Sequence, residues 1–460
     1  MSAAPANTSA NIRSWGGLQG AVNHLQAPAF SHELGAALRV PSDPKLVIGN
    51  LRSYGDEVLN PHGQYIQTTR CDRMLHFDEQ NGILQVEAGA QIAALQNILG
   101  PKGWMFPVTP GTALLTIGGA IANDVHGKNH HAAGTFGHHV LSFVLLRTSG
   151  ETLVCSPQEN ADWFAATLGG MGLTGAIQQA TLQLRRIPHS QLHVKNWRFD
   201  NLDEFFTLDA EHTPQHEYSV AWVDCVASGA QLGRGIFSVA DHLPAKVEKI
   251  AEATSEGVTL LKAKKRAVRR SVPISPPFSC INQLSLRAFN TLYFHRPFPL
   301  SLPAVQQASM YQWLYPLDSI LHWNRLYGRA GFVQFQCAIP PQSARVAVKD
   351  MLQTIAQSGQ GSFLAVLKNF GEQASLGMLS FPQPGTTLAL DFPWLGERTA
   401  TLLARLHAIN LAAGGRIYAA KDSHAPAHAL VQGYPRFAEF QRYLDPGLAS
   451  VMGQRFNLGK

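Results

Sequence analysis

The chain has 460 residues, of which 45% are apolar and 15% are charged, and its formal net charge is +6. A chain of this length accommodates two or three domains with a sizeable core, and its composition excludes an intrinsically disordered protein. The five cysteines are widely spaced without a C-x-x-C pair, which predicts neither a disulfide framework nor a zinc site and favours a reduced, cytoplasmic protein.

Two segments bear on membranes and targeting. The N-terminal segment MSAAPANTSANIRSWGG lacks the basic and apolar blocks of a secretory signal, so we expect none. The uncharged run from Gly103 to Asn123 contains Pro107, Pro110 and several glycines, so we expect no membrane-spanning helix there.

Short strands separated by turns dominate the first third of the sequence. Gly100-Pro101 ends a helix whose apolar residues recur at helical spacing, and Ser149-Gly150 marks a hairpin. Strands are expected at 45–48, 83–86, 140–146, 152–155 and 174–184, and helices at 92–99 and 161–168.

The remainder of the chain mixes strands with helices. Helices are expected at 346–356 and 400–413, strands at 332–339 and 387–392, and a largely helical tail from about residue 415. This order of elements predicts an α+β protein with two domains.

A basic run interrupts the middle of the chain, and we expect it to form an excursion from the fold. Such a run is either a solvated loop or a patch that attracts a phosphate-bearing partner, a membrane surface or a nucleic acid. No nucleic-acid recognition motif accompanies it. The run consists of Lys262, Lys264, Lys265, Arg266, Arg269 and Arg270.

Two segments, one early and one late, combine residue types that suit a ligand site. VIGNLRSYGD at 47–56 follows a strand and joins glycines, which let a backbone approach a diphosphate closely, to the cationic Arg52. An ordinary structural loop has the same composition. In the second segment, Lys421 follows Tyr418 closely; it is either a surface lysine or, if buried, a base or a substrate anchor.

A third segment, at 109–131, is rich in glycine and histidine. The pair Gly118-Gly119 suits a chain that lies flat along an extended ligand, but it is not the G-x-G-x-x-G of a nicotinamide-binding unit. No carboxylate or cysteine set completes a metal site around the histidines here, so we expect no metal. These histidines are His126, His130, His131, His138 and His139.

Together these segments resemble the vanillyl-alcohol-oxidase superfamily, whose FAD domain is of the p-cresol-methylhydroxylase type. Within it, the chain is similar over nearly its whole length to the oxidases that act on the ribose of a polyprenyl phosphate. The matching stretches are RSYGD (52–56), PGT (110–112), TIGGAIANDVHGKNHHAAGTFGHHV (116–140), GGMGLTGAI (169–177), YSVAWVD (218–224), LGRG (232–235), YPLD (315–318), WNRLYGRAGFVQFQCAIP (323–340), LDFP (390–393) and GGRIYAAKDS (414–423).

The resemblance implies a bipartite fold. Residues 1–190 would form the FAD-binding domain, and residues 415–460 would return to it. Residues 191–414 would form a substrate domain with an antiparallel sheet over the flavin.

The resemblance also implies FAD as the cofactor. Many members of the superfamily attach flavin through a histidine in the first loop, but Arg52 holds the matching position here, so we expect non-covalent FAD. The residues implied to bind it, in and beyond the loop 47–57, are Gly49, Arg52, Ser53, Tyr54, Gly55, Asp56, Gly111, Thr116, Ile117, Gly118, Gly119, Asn123, Asp124, Val125, His126, Ile177 and Tyr418.

The implied reaction is hydride transfer from C2 of a polyprenylphosphoryl-β-D-ribose to flavin. It gives a 2-keto sugar and is the first half of an epimerisation to the arabinose donor for cell-envelope glycans. Lys421 and His126 would be catalytic, as base or orienting group. The substrate would be held by Tyr54, Lys128, Trp222, Gln334, Gln336, Lys368, Thr387, Ala389 and Lys421.

The sequence departs from the family at four of its positions. Ala389 replaces the cysteine that covalent nitroaromatic inhibitors attack, so we expect resistance to them. Thr387, Leu314 and Leu51 replace an asparagine, a tyrosine and a glycine, which leaves the sugar and the lipid length open.

Other readings remain open at this point. An aldonolactone or alditol oxidase acting on a free sugar belongs to the same superfamily, although such enzymes usually carry the flavin-linking histidine. A non-catalytic flavin-binding subunit is a further alternative. The resemblance implies a lipid-linked sugar phosphate substrate, an NAD-dependent keto-sugar reductase as partner, no nucleic acid, and a location in the cytoplasm or at the inner face of the cytoplasmic membrane.

Overall fold

The structure is a computed structural model that describes residues 12–244, 270–296 and 304–459. Of the basic run at 262–270, only Arg270 lies within these ranges, so the expected excursion falls outside the described residues. The strands are β1 (His24–Gln26), β2 (Leu46–Ile48), β3 (Gln64–Gln67), β4 (Met74–Asp78), β5 (Ile83–Glu87), β6 (Trp104–Met105), β7 (Val140–Leu146), β8 (Thr152–Cys155), β9 (Ala176–Gln183), β10 (Arg185–Arg186), β11 (Gln191–Phe199), β12 (Tyr218–Val223), β13 (Gly235–His242), β14 (Arg270–Ser271), β15 (Ala304–Ser309), β16 (Ile320–Leu321), β17 (Phe332–Ile339), β18 (Val366–Phe370), β19 (Gly385–Pro393) and β20 (Arg416–Ile417).

Helices lie in several of the intervals between the strands. After residue 417 three short helices alternate with turns and cover fewer than half of the described residues, so the expected largely helical tail from about residue 415 is wrong. The α-helices are α1 (Ser31–Arg39), α2 (Ile92–Leu99), α3 (Ile117–Ala122), α4 (His130–Ala133), α5 (Ala161–Thr167), α6 (Leu202–His212), α7 (Gln283–Phe294), α8 (Met310–Leu314), α9 (Pro341–Ser358), α10 (Glu397–Ala412), α11 (His428–Gly433), α12 (Phe437–Phe440) and α13 (Val451–Arg455). The expected α+β class is confirmed. Strands β7, β8 and β17 have the bounds expected from the sequence, and α9 begins five residues before the expected 346 because Pro341 suits a first helical turn.

The N-terminal part contains two sheets. Strands β1, β3 and β2 form a parallel sheet in that order, and β4, β5, β9, β7 and β8 form an antiparallel one. Helices α2 and α3 cover the larger sheet, so that Leu95 and Ile121 pack in one core with Leu84 and Phe143. The turns that enter and leave this core carry the glycine-rich segments.

The middle of the chain forms an eight-stranded antiparallel sheet in the order β15-β11-β13-β12-β18-β19-β17-β20. Because side chains alternate between the faces of a strand, Val333, Phe335 and Cys337 of β17 pack on one face in the core that contains α9 and α10. Gln334 and Gln336 therefore point to the opposite face. That face is a wall of the largest cavity described below.

The C-terminal part joins both regions. Strand β20 pairs with β17 in the eight-stranded sheet. Downstream of it, Leu430, Phe440 and Met452 pack in a core with Ala166 and Leu173 of the N-terminal region. This packing agrees with a C-terminal segment that returns to the first domain, and the division at residues 190 and 415 stays a prediction. Among the described residues, no helix combines the length and apolar character needed to cross a membrane.

Candidate active site

The larger of two adjoining cavities has a volume of about 520 Å³ and lies between the eight-stranded sheet and two N-terminal loops. One loop, 49–58, follows β2, and the other, 109–128, surrounds α3. The segment after β20 closes the cavity with Tyr418 and Lys421. The three motif segments of the sequence thus meet at one site.

A smaller cavity of about 100 Å³ continues from the same walls toward β2 and β9. Residues shared by both cavities include Gly49, Ser53 and Asn123. Two cavities with common walls suit an elongated ligand with a part in each. Gly172, with φ of 74°, lines the smaller cavity, and no atom lies within 4 Å of the place a Cβ would take there.

Buried polar atoms on the cavity walls have no hydrogen-bond partner within the described part of the chain. They are Arg52 Nε, Glu57 Oε2, Asn123 Oδ1, His126 Nδ1 and Gln334 Oε1. Buried donors and acceptors are normally paired, so a row of such atoms along one cavity indicates a polar ligand. A flavin dinucleotide, with its ring nitrogens, ribityl hydroxyls and diphosphate, fits this mixture of donors and acceptors.

Strand pairing sets the polar wall of the sheet. Gln334 is opposite Asp391, Gln336 is opposite Ala389, and Lys368 is opposite Thr387 in the β17-β19-β18 ladder. All six side chains line the cavity. A one-residue slip would send every one of them to the apolar face, so the register itself defines the site.

Lys421 lies over the ring of Tyr54, with Nζ 3.7 Å from the ring centre. Burial lowers the pKa of Lys421, while the charges of Asp391 and Glu57 oppose that shift. The neutral amine, which can accept a proton, is therefore more accessible than in an exposed lysine, and two carboxyl groups stand near to stabilise the ammonium once it forms.

Asp391 is buried on the floor of the cavity, only 1% exposed. Gln334 Nε2 donates to Asp391 Oδ1 at 2.5 Å, and the backbone N–H of Asp391 donates to Ser362 Oγ at 3.0 Å. Burial raises the pKa of Asp391, and the hydrogen bond from Gln334 and the charge of Lys421 work against that rise. Burial likewise raises the pKa of Glu57 to about 8.

His126 is a neutral imidazole at physiological pH. Burial, followed by the charges of Lys368, His130 and Lys421, lowers the pKa of His126 well below its ordinary value. Gln336 Nε2 donates to His126 Nε2 at 3.2 Å, so the ring proton belongs on Nδ1, the atom without a partner. The imidazole thus presents a donor rather than a positive charge.

Two further lysines supply cationic character. Lys368 Nζ donates to the backbone oxygen of Gly127 at 2.6 Å, and Lys128 Nζ lies 4.2 Å from the ring centre of Trp313 and donates to its backbone oxygen. Burial lowers the pKa of each lysine to about 7, and the charge of Lys128 adds to the shift of Lys368. An anionic group between them would restore their protonation.

Most of the residues proposed from the sequence lie on the cavity walls, and their individual roles stay predictions. Those on the walls are Gly49, Arg52, Ser53, Tyr54, Gly111, Thr116, Gly118, Gly119, Asn123, Val125, His126, Lys128, Ile177, Trp222, Gln334, Gln336, Lys368, Thr387, Ala389, Tyr418 and Lys421.

Two of the proposed cofactor residues, Gly55 and Asp56, belong to the first loop but do not line either cavity. The carboxylate of Asp56 is engaged by Arg455, with both of its oxygens 2.9 Å from guanidinium nitrogens. Gly55 lies against the backbone of Lys421, which a Cβ would approach to 3.4 Å. Both residues therefore hold in place the two segments that line the cavity, the first loop and the segment that contains Lys421.

Two others, Ile117 and Asp124, lie beneath the glycine-rich segment. Ile117 is fully buried in the N-terminal core. Asp124 accepts hydrogen bonds from the Gly137 N–H at 2.8 Å and from Ser380 Oγ at 2.5 Å. Its carboxylate therefore braces the loop against the rest of the fold.

The sequence reasoning missed cavity residues that come from the apolar middle of the chain. In the sequence, Asp391 belongs to the matching stretch LDFP and was not predicted as a site residue. It shares a strand face with Thr387 and Ala389, so its spacing of two from Ala389 is the signal that could have found it. Tyr293 and Arg296 at the end of α7 also line the cavity, and no motif marks them.

Comparisons with known proteins agree with this geometry. The family described as FAD binding domain matches residues 27–156. Decaprenylphosphoryl-beta-D-ribose oxidase of Mycolicibacterium smegmatis is 34% identical in an alignment 422 positions long, and the alignment covers 88% of this chain and 88% of that protein. An uncharacterized protein in the mprA 5′ region of Streptomyces coelicolor is 32% identical over 79% of this chain and 99% of its own length. D-arabinono-1,4-lactone oxidase of Yarrowia lipolytica is 34% identical over 24% of this chain and 21% of its own length.

Proposed function

The chain belongs to the decaprenylphosphoryl-β-D-ribose oxidase family of FAD-binding oxidoreductases, and on that premise we propose that it oxidises the ribose 2-hydroxyl of a polyprenylphosphoryl-β-D-ribose to the 2-keto sugar. The product would be the first intermediate in epimerisation to the arabinose donor of cell-envelope glycans. The match to the arabinonolactone oxidase covers about a quarter of the chain, so it supports a shared FAD domain more than a shared substrate.

One observation carries the proposal: Lys421, His126 and Lys368 converge on a single cavity whose walls hold buried, unpartnered polar atoms. The cavity is large enough for a flavin ring and a sugar together, since ligand sites range over roughly 300–1,000 Å³. The polar face of the eight-stranded sheet would lie over the sugar.

The proposed proton acceptor is Lys421. When C2 loses a hydride, the 2-hydroxyl must lose a proton, and the neutral amine favoured by burial accepts it at Nζ. Asp391 and Glu57 would then stabilise the ammonium electrostatically. FAD, when bound, supplies the acceptor for the hydride.

We propose that His126 orients the sugar by a hydrogen bond and does not take up the proton of the reaction. Because Gln336 donates to His126 Nε2, the Nδ1–H is free to donate toward a ligand oxygen. Gln334 would act similarly, since its Nε2 is committed to Asp391 and its Oε1 is left as an acceptor. His126 would therefore donate to one hydroxyl group of the sugar, and Gln334 would accept from another.

The phosphate of the substrate is proposed to lie between Lys128 and Lys368. Both line the cavity, and in both the pKa is lowered to about 7 by burial, so an anion that neutralises them is favoured there. FAD would be held non-covalently along the loop 49–58 and the segment 116–123, where Arg52 stacks on Trp15 at 4.3 Å.

The test is anaerobic bleaching of the flavin by a polyprenylphosphoryl ribose, compared with free ribose, aldonolactones and small polyols. We expect bleaching by the lipid-linked sugar alone. Bleaching by polyols, followed by release of hydrogen peroxide once air is admitted, would instead support an alditol or aldonolactone oxidase.

The proposal extends to partner and place. The keto sugar needs a reductase to become arabinose, and an NAD-dependent enzyme of that class is the proposed partner. A substrate with a long polyprenyl chain resides in a bilayer, so we place the protein in the cytoplasm, peripheral to the inner face of the cytoplasmic membrane. Binding assays with the purified reductase and with vesicles test the two statements separately.

A further inference from the structure

The most exposed large apolar side chains in the described ranges fall within one stretch, 274–292. Ile274, Phe278, Leu284 and Leu292 expose 72%, 71%, 80% and 74% of their surface. Single exposed apolar residues are common in soluble proteins, but a concentration of them is typical of a contact surface. We call these four side chains the apolar face.

Helix α7 carries half of the apolar face and is amphipathic. Leu284, Ala288 and Leu292 are exposed at intervals of four residues, which places them on one side of the helix. Leu286 and Phe294 are buried on the other side. Burial of the inner side accounts for how the helix is held, so its outer apolar residues need a different explanation.

Along the sequence, the charged residues in the interval that contains the apolar face have one sign. No aspartate or glutamate occurs between Glu256 and Asp318, and Arg270 and Arg287 are exposed within that interval. Apolar side chains flanked by cations without anions complement an anionic lipid surface. A symmetric contact with a second copy of the chain would bring these arginines together and is opposed by their repulsion.

The same helix also reaches the cavity. Tyr293 follows the exposed Leu292 directly and lines the cavity, where its ring centre lies 4.7 Å from that of Trp222. Arg296, two residues past the end of α7, lines it as well. The part of the apolar face that lies on α7 and the cavity wall are therefore adjacent on one element.

We propose that the apolar face at 274–292 docks on the anionic surface of a lipid bilayer and brings the cavity to that surface. A lipid-linked substrate would then enter the cavity with its chain still in the bilayer. The docking stands on this surface alone, whereas the route of the substrate rests on the proposed function.

The chain contains a native probe for the docking. Cys280 is exposed between Phe278 and Leu284, and the other four cysteines are buried. A thiol-reactive, environment-sensitive fluorophore will therefore label Cys280 selectively in the folded holoprotein. We expect its emission to shift to the blue with vesicles of equal parts phosphatidylcholine and phosphatidylglycerol, and to shift less with phosphatidylcholine alone.

Two matched double variants distinguish the effect of the apolar face from that of exposed apolar residues elsewhere on the protein. We expect Leu284→Ser with Leu292→Ser to weaken vesicle binding by more than about tenfold, because two leucine side chains no longer enter the bilayer. Val346→Ser with Val431→Ser, at sites 65% and 59% exposed on α9 and α11, should leave it unchanged. Thermal melting and flavin absorbance of both variants verify folding.

Three outcomes overturn the docking. They are equal vesicle binding by the two double variants, no spectral shift with any vesicle, and a shift that depends on protein concentration without vesicles, which would indicate a second copy. A shift produced only by the purified keto-sugar reductase is a case of the second outcome and would assign the face to a protein.

A short-chain, water-soluble ribosyl phosphate separates the route from the proposed function. We expect the Leu284→Ser, Leu292→Ser variant to reduce its flavin normally with this compound, but to lose more than about tenfold in kcat/KM on substrate embedded in vesicles. Equal losses on both substrates would overturn the route. If the compound fails to reduce the wild-type flavin, the proposed function and the route both fail, and the vesicle measurements still decide the docking.

Discussion

Arg455 binds Asp56 across nearly the whole length of the chain, with Nε 2.9 Å from Oδ2 and Nη2 2.9 Å from Oδ1. The same guanidinium donates to the backbone oxygens of Asp422 and Ala425, each at 2.8 Å. One side chain on the last helix thus ties the loop that carries Tyr54 to the segment that carries Lys421.

Replacing this arginine should lower both stability and activity. Arg455→Met leaves the largely buried Asp56 without its partner, so we expect a loss of about 3 kcal/mol in the free energy of unfolding, measured by urea denaturation of the holoprotein. Arg345→Met, which breaks an exposed pair with Asp203, is the control and should cost less than about 1 kcal/mol. Equal losses would show that Arg455 does not clamp the two segments.

Lys421→Met should slow turnover strongly without releasing the flavin. This change removes the proposed proton acceptor. Because general-base groups typically contribute about 10²–10⁴ in rate, we expect kcat to fall by a factor within that range. Flavin absorbance after gel filtration checks cofactor retention. Lys349→Met, on the exposed side of α9, is the control, and a Lys421→Met enzyme of normal rate would contradict the role.

Affinity for the anionic substrate should weaken as pH rises through about 7. Burial lowers the pKa of Lys128 and Lys368 to about 7, so both are charged below that pH and neutral above it. An anionic phosphate binds the charged form, so its apparent Kd should increase between about pH 6 and about pH 9. Flavin perturbation titrations measure it. Lys368→Met should flatten the profile, and an affinity that increases with pH would contradict the assignment.

Glycine should be more stable than alanine at position 51. Leu51 has φ of 51°, a left-handed conformation that costs a residue with a Cβ about 1 kcal/mol. Both Leu51→Gly and Leu51→Ala remove the leucine side chain, so their difference isolates the backbone. We expect the glycine variant to unfold at the higher urea concentration, and the reverse order would show that the loop relaxes when leucine is removed.

Wild-type protein should form no covalent adduct with nitroaromatic inhibitors of the family. Ala389 lines the cavity on β19, where the family has a reactive cysteine. A thiol adds to such an inhibitor only after substrate-reduced flavin has reduced the nitro group to a nitroso group with loss of one oxygen as water. Ala389→Cys treated in the presence of substrate should therefore gain the mass of one inhibitor less one oxygen, as measured on the intact protein. An adduct on the wild type would point to another cysteine. The same spectra of denatured protein test whether FAD is released, as non-covalent binding requires.

The sequence predicted the local structure well where the pattern of side chains was strict. The bounds of β17 followed from FVQFQCAI, in which polar residues alternate with apolar ones, and the end of α2 followed from Gly100-Pro101. Both signals act over a few residues, so no knowledge of the tertiary fold was needed to use them.

Contacts between residues far apart in the sequence could not be predicted from the local pattern of side chains. Nothing near Asp56 indicates that Arg455 will occupy its carboxylate, because that pairing depends on how the C-terminal helices return to the N-terminal region. The place of Asp391 in the cavity could not be predicted for the same reason, because strand register sets its position beside Gln334. The resemblance to a family predicted most residues that line the cavity. Only the fold shows which of the predicted residues line it and which lie behind the lining.

The alternation in β17 and β19 has a practical consequence for redesign. Positions 334, 336, 387 and 389 face the ligand cavity, while positions 333, 335, 388 and 390 face the core under the sheet. Libraries restricted to the first set alter the lining of the proposed sugar site while the packing that determines thermal tolerance is left alone. Libraries restricted to the second set can raise thermal tolerance without revisiting selectivity, so the two traits are open to separate optimisation within the same two strands.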